Sequence, residues 1–242
     1  DLGAAADRTI QAWRFLFSRE DWWTLDTLLN LESQFHLHSR YHFYADRRRK
    51  TPMRWLFDPE YDIDNKKIRT FLEQLTDSGA EIGLHPSFDS WHSATSIRQQ
   101  KITLEAAAGR PCIVCRQHWL RFSWRETWMA QEGAGIREDT TLMFNDRPGL
   151  RNASAVAWHP WQTELGAPHQ LMALPTVIMD SHFYDYQALS PEARREGMAH
   201  WVKECRVVFG QVAVLWHPHT LAADYDWGQG FEELVALLAE EY

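Results

Sequence analysis

The chain has 242 residues, 45% hydrophobic and 24% charged, with a formal net charge of −8. That length suits one α/β domain with a sizeable core, so 1–242 is expected to be a single unit. The acidic balance excludes broad nucleic-acid binding, no apolar run reaches the length of a transmembrane segment, and three cysteines are too few for a disulfide framework.

In chain order, Ile10, Trp13 and Phe17, then Trp22, Leu25, Leu28 and Leu29, predict an opening helical region. Alternation from Phe35 to Tyr44 predicts a strand on which His36, His38 and His42 share one face, as a metal pair or as an ordinary polar face. The basic run Arg47-Arg48-Arg49-Lys50 reads as a solvated loop. Asp64 is placed to cap a helix with the apolar face Ile68, Phe71, Leu72 and Leu75, ending at Gly79. Glu81 to His85 reads as a strand, Ala94 to Ala108 as a helix stopped by Gly109, and Cys112 to Arg116 as a buried strand. Residues three apart on a strand face opposite sides, so Cys112 and Cys115 are read as structural rather than as zinc ligands. A helix from Trp124 to Glu132 and strands from Thr140 to Phe144 and from Met172 to Met179 follow, with Pro175 marking an edge or irregularity in the last. Ser190-Pro191 starts a helix carrying Met198, Trp201, Val202 and Cys205. A strand from Gln211 to Trp216 and a helix with Phe231, Leu234, Val235 and Leu238 inside complete the chain. The alternation predicts a mainly parallel sheet with right-handed crossovers, without separating a barrel from an open sheet.

In parallel α/β folds, sites gather at the carboxyl ends of strands. Three predicted strands run there into histidine: Ile82-Gly-Leu-His85-Pro, Val114-Cys-Arg116-Gln-His118 and Val214-Leu-Trp-His217-Pro-His219. Each alone reads as a satisfied structural residue more readily than as a ligand. Together they favour a metal or acid/base site. Asp89, four residues past His85, can supply a carboxylate to the same ion, and Arg116 can orient a carboxylate or a developing oxyanion. Most of the thirteen Trp are expected in the core, with a minority free to meet sugar rings.

These segments resemble the polysaccharide deacetylase-like proteins (carbohydrate esterase family four), in a divergent branch linked to O-antigen biosynthesis. Glu132-Gly-Ala-Gly-Ile-Arg-Glu-Asp139 and Arg147-Pro-Gly-Leu-Arg151 are similar to that branch too, so the likeness runs from about Phe35 onward. It implies an irregular (β/α) barrel and metal-assisted removal of an acetyl group from an acetamido sugar. His85 matches the first histidine ligand of the metal, Asp89 stands where the family often has a second histidine, His118 is the alternative for the third ligand, and His217 matches the general acid. Arg116 matches the arginine that orients the catalytic carboxylate, and Trp119, Asp139, Arg151 and His219 the substrate side. The implied cofactor is zinc or a similar divalent ion, and the partner a carbohydrate. With no signal peptide visible, the expected place of action is the cytoplasm. The family's first motif, a strand ending in an Asp pair, is not found near the start. It is expected upstream of Asp1, or else the chain is a catalytically degenerate carbohydrate-binding barrel.

Overall fold

Short strands set the plan of the molecule. The computed structural model describes residues 23–240, so the predicted helical positions Ile10, Trp13, Phe17 and Trp22 lie outside the described residues. The strands are β1 (Arg40–Phe43), β2 (Glu81–Leu84), β3 (Val114–Cys115), β4 (Glu138–Asp139), β5 (Trp161–Gln162), β6 (Ala167–Pro168), β7 (Met172–Ala173), β8 (Thr176–Met179) and β9 (Ala213–Leu215). The helices are α1 (Leu25–Gln34), α2 (Pro52–Phe57), α3 (Lys66–Ser78), α4 (Ala94–Ala108), α5 (Thr127–Gly133), α6 (Asp180–Tyr184), α7 (Pro191–Val207) and α8 (Gly228–Ala239). Backbone contacts group them into two compact units, one of residues 38–178 with 204–214, the other of residues 23–37, 179–203 and 215–240.

The first unit holds a five-stranded sheet in the order β1-β2-β3-β4-β7, every neighbouring pair parallel. Its strands stand in chain order without the reversal of a doubly wound sheet. Hydrogen bonds continue one residue past each strand: His85 N–H to Phe43 O at 2.8 Å, Arg116 N–H to Leu84 O at 3.0 Å, Thr140 N–H to Cys115 O at 2.9 Å. The ladder therefore delivers His85, Arg116 and Thr140 side by side at the carboxyl edge. β8 and β9 form a separate two-stranded pair, and β5 and β6 an antiparallel hairpin.

Local sequence explains most of these elements. Tyr41 and Phe43 point to one side of β1 and pack on Phe71 of α3, with ring centroids 5.5 and 6.3 Å apart. The predicted α3 face, Ile68, Phe71, Leu72 and Leu75, is buried, and Gly79 at φ 77° ends the helix. Asn65, not Asp64, caps it, because Asp64 is committed to Arg47 and Arg69. Ser93 caps α4. The strand expected over Phe35–Tyr44 is shorter, since His36 adopts φ 53°, a turn conformation. Of the three evenly spaced histidines only His42 lies on a strand. Pro175, with no N–H to give a ladder, separates β7 from β8. β4 forms just before the predicted Thr140–Phe144 strand, although Thr140, Thr141, Leu142 and Met143 are all buried. Cys112 and Cys115 are free and buried, and burial pushes the Cys112 thiol up to about 12 and raises that of Cys115, as for structural cysteines.

Gly83 sits opposite His42 across β1 and β2, and a Cβ there would lie 2.6 Å from the His42 ring. Gly83→Ala is expected to cost about 1–3 kcal/mol by overpacking, seen as a lower denaturant midpoint. An unchanged midpoint would show that the imidazole can move aside.

In the second unit the Thr24 hydroxyl donates to Pro218 O, and the aromatic residues Tyr184, Trp216, Trp227 and Phe231 pack together. No described helix is long and apolar enough to cross a membrane.

Candidate active site

At the carboxyl edge of the first unit, His85 and His118 meet. His118 Nδ1 lies 2.7 Å from His85 Nε2, and the rings are perpendicular. Each outer nitrogen faces a backbone carbonyl: His85 Nδ1 is 2.8 Å from Arg116 O, and His118 Nε2 contacts Phe57 O. A carbonyl only accepts, so each outer nitrogen must carry its ring's proton. Two neutral rings then have two inner lone pairs facing each other. At 2.7 Å a shared proton bridges them; two ligands of one divalent ion, each about 2.0–2.1 Å from it in a tetrahedral site, would stand farther apart. Burial, and next His118, His42 and Arg116, hold the His85 imidazole well below its ordinary range, which opposes the extra proton. Imidazoles whose far nitrogens donate to backbone carbonyls are in the form that binds divalent metal. The pair has the chemistry of two ligands to such an ion, but its inner nitrogens would have to separate to hold one. Among the described residues, no group of three or more His, Cys, Asp and Glu is arranged to hold a metal.

The carboxylates nearby are already engaged. Asp89 accepts from Arg48 Nη2 and Ser87 Oγ, both at 2.9 Å, and so does not join His85. Asp46, three residues past β1, has a side chain only 1% exposed and is bound by Arg48 and by Arg54 Nη2 at 2.9 Å. Burial pushes its carboxyl up, but hydrogen bonding and charge from Arg48 outweigh that, and the net position is below the usual range. Arg54 is 3% exposed and uses all five of its donors, on Asp58, Tyr44 Oη, Asp46 and the carbonyls of Arg48 and Arg49.

Arg116, expected to orient a carboxylate, instead donates to Thr140 O and Oγ1 and to Thr176 Oγ1, at 3.1–3.4 Å. Burial lowers it to about 10. Its carbonyl, not its guanidinium, serves the histidine pair. Trp119 is 59% exposed at φ 55° and donates to Phe57 O. Asp139 is enclosed, its oxygens taken by Trp128, Gln131 and Thr141, and burial raises its carboxyl. Arg151 reaches Met143 O at 3.3 Å.

The second unit carries its own dyad. Asp180 follows the apolar strand β8 and is buried. Its Oδ1 accepts from His217 Nδ1 at 2.8 Å, and its Oδ2 from the His217 backbone N–H at 2.8 Å. Burial raises this carboxyl, but the charge and hydrogen bonds of His217, with the Ser181 N–H, bring it below its ordinary range. With Nδ1–H fixed, the half-exposed ring keeps Nε2 for proton transfer. His219 packs beside His217, and burial lowers it to about 4.

Asp180 and Asp46 were missed. Both follow apolar strand segments, so the strand-end criterion that picked out His85 also points to them. The predicted strands end at Met179, one residue before Asp180, and at Tyr44.

No protein-family model matches the chain, and no curated protein matches it. The crystal structure of a "putative polysaccharide deacetylase" from Mycobacterium smegmatis is similar in fold, with a TM-score of 0.57 at 17% identity over 88% of this chain and 69% of that one. At that identity the likeness shows the fold alone: a mixed α/β structure with a parallel sheet. A GH57 branching enzyme from Thermococcus kodakaraensis, in complex with glucose, matches at a TM-score of 0.40 and 13% identity, over 72% of this chain and 47% of that one; so low a score carries no weight here.

Proposed function

We propose that the chain is a metal-dependent N-deacetylase acting on an acetamido sugar of a surface-polysaccharide, O-antigen-like precursor in the cytoplasm. We read 1–242 as one irregular (β/α) barrel of the polysaccharide deacetylase type. The singly wound strand order and the fold likeness support the barrel. The single observation that carries the chemistry is the His85–His118 pair, its inner nitrogens 2.7 Å apart and its outer nitrogens tied to carbonyls.

A zinc-like ion, when bound, polarises the acetamide carbonyl and acidifies a water. His85 and His118 would hold it as neutral imidazoles, oriented by the Arg116 and Phe57 carbonyls. In the second unit, His217 is the residue read as general acid: Asp180 fixes Nδ1–H and stabilises the charged ring, which leaves the Nε2 proton to be given. Trp119 offers an exposed indole to the sugar, and His219 and Arg151 contribute on the substrate side.

A second reading, a degenerate carbohydrate-binding barrel, is favoured by the engagement of Asp46 and Asp89 with arginines. One experiment separates the two. Zinc at about a hundred times its Kd stabilises a protein by about 2.7 kcal/mol, which is about 5–10 °C in Tm for a domain of this size. That rise is expected in the unaltered protein and not in His118→Ala. No rise in either would leave the histidines as a proton-sharing pair and favour the degenerate barrel.

A further inference from the structure

A small cleft in the first unit, apart from the histidine pair, is lined by Trp124, Arg125, Trp161, Gln162, Glu164 and His169 and encloses about 190 Å³. Two indoles line it while remaining 55% and 63% exposed, for Trp124 and Trp161. Large apolar side chains left on one small cleft call for an explanation, because isolated exposure is ordinary but clustered exposure marks a binding surface.

Trp124 is not a loose surface residue. Its ring meets Phe122 and Trp128 edge to face, at 5.3 Å in each case. Trp128 is itself buried, with its Nε1–H bonded to Asp139 at 3.1 Å, and it packs on Trp158 and His169. The buried Asp139 thus anchors an aromatic row that ends in an exposed, preset indole. On the other side, Trp161 stands on the β5–β6 hairpin, opposite Pro168. His169, beside that hairpin, has Nδ1 fixed by Glu132 at 2.9 Å. Such preorganisation lowers the ordering cost of binding.

The polar lining selects the ligand class. Arg125 Nε and Glu164 Oε1 are 3.0 Å apart and cancel in charge, which favours a neutral ligand over a phosphate or a carboxylate. Both remain well exposed and, with Gln162, present donors and acceptors at the rim. Flat aromatic faces for C–H groups and a polar rim for hydroxyls match one pyranose ring. The volume lies below the range of drug-sized pockets, about 300–1,000 Å³, and so suits a single ring rather than a chain.

We infer that the cleft between Trp124 and Trp161 is a carbohydrate subsite that takes one ring of a neutral N-acetylhexosamine oligosaccharide. The inference rests on the carbohydrate reading above and adds a second place where the polymer is held. The test is calorimetric titration of the full chain with tetra-N-acetylchitotetraose. Saturable binding is expected, weakened about tenfold by Trp161→Ala, the loss of one stacked ring being worth about 1.4 kcal/mol. Trp161 is mostly exposed, so this variant should fold; Trp124→Phe checks the other wall and should weaken binding less. Absence of binding, or binding that ignores both Trp substitutions, overturns the subsite. Either result leaves the zinc experiment, and with it the deacetylase reading, to stand or fall separately.

Discussion

Replacing Arg54 by Leu is expected to cost about 3–5 kcal/mol, the usual consequence of removing one partner from a buried charge network. At about 2–4 °C per kcal/mol for a domain of this size, Tm should drop by on the order of 10 °C. Asp58 and Asp46 have side chains 0% and 1% exposed and would lose the guanidinium that joins them. Tyr44 Oη and two backbone carbonyls would lose donors as well. Arg54→Lys keeps the charge but not the planar fork, so it should recover only part of the loss. Thermal unfolding checks both variants, and a drop under about 2 °C in Arg54→Leu would mean that water or Arg48 takes over. Two carboxylates, Asp46 and Asp180, set the acid limit. Asp46 and Asp180 sit below their ordinary range when folded. Their stabilising contribution is therefore complete above the unfolded value, about 3.9, and is lost as pH falls through the lower folded values. Asp139 is raised and acts in the opposite sense, its shift favouring the folded state as pH falls.

The second large effect concerns the dyad. If the deacetylase reading holds, His217→Ala should lower kcat for an N-acetyl sugar by about 10²–10⁴, the usual worth of a positioned acid or base. Its ring is 40% exposed, so Tm should move little. Asp180→Asn should lose much of the same activity, because an amide opposite Nδ1 no longer enforces the tautomer that leaves Nε2 for transfer. It carries a structural cost too, since the buried Asp180 also accepts the His217 N–H. Steady-state kinetics on both variants, with zinc content measured in parallel, separate proton transfer from metal loss. A His217→Ala enzyme keeping half its activity would remove His217 from the chemistry.

Local pattern made much of the fold legible. The face of α3, the extent of α4, the glycines that end both and the Ser190-Pro191 start of α7 follow from periodicity and capping, which act over a few residues. Several short elements escaped, α2 and the β5–β6 hairpin among them. α2 is announced only by Thr51-Pro52 after a basic run, and its burial rests on Arg54, an arginine that pattern reading assigns to the surface. The β5–β6 hairpin has only two residues per strand, too few for alternation to register.

The candidate site divides along the same line. The sequence by itself determined that His85, His118 and His217 follow apolar strands, because an apolar run ending in a polar residue is a local signal. Only the tertiary structure decided what those residues do there. The pairing of β2 with β3 puts His118 against His85, while Arg48, 41 residues from Asp89 in sequence, draws that carboxylate away from the pair. β8 brings Asp180 to His217, 37 residues away in sequence. Arg116 turns its guanidinium to threonines and leaves its carbonyl to the histidine. Partner choice depends on through-space distance and on the burial of competing donors, and neither is encoded in the spacing of residues along the chain.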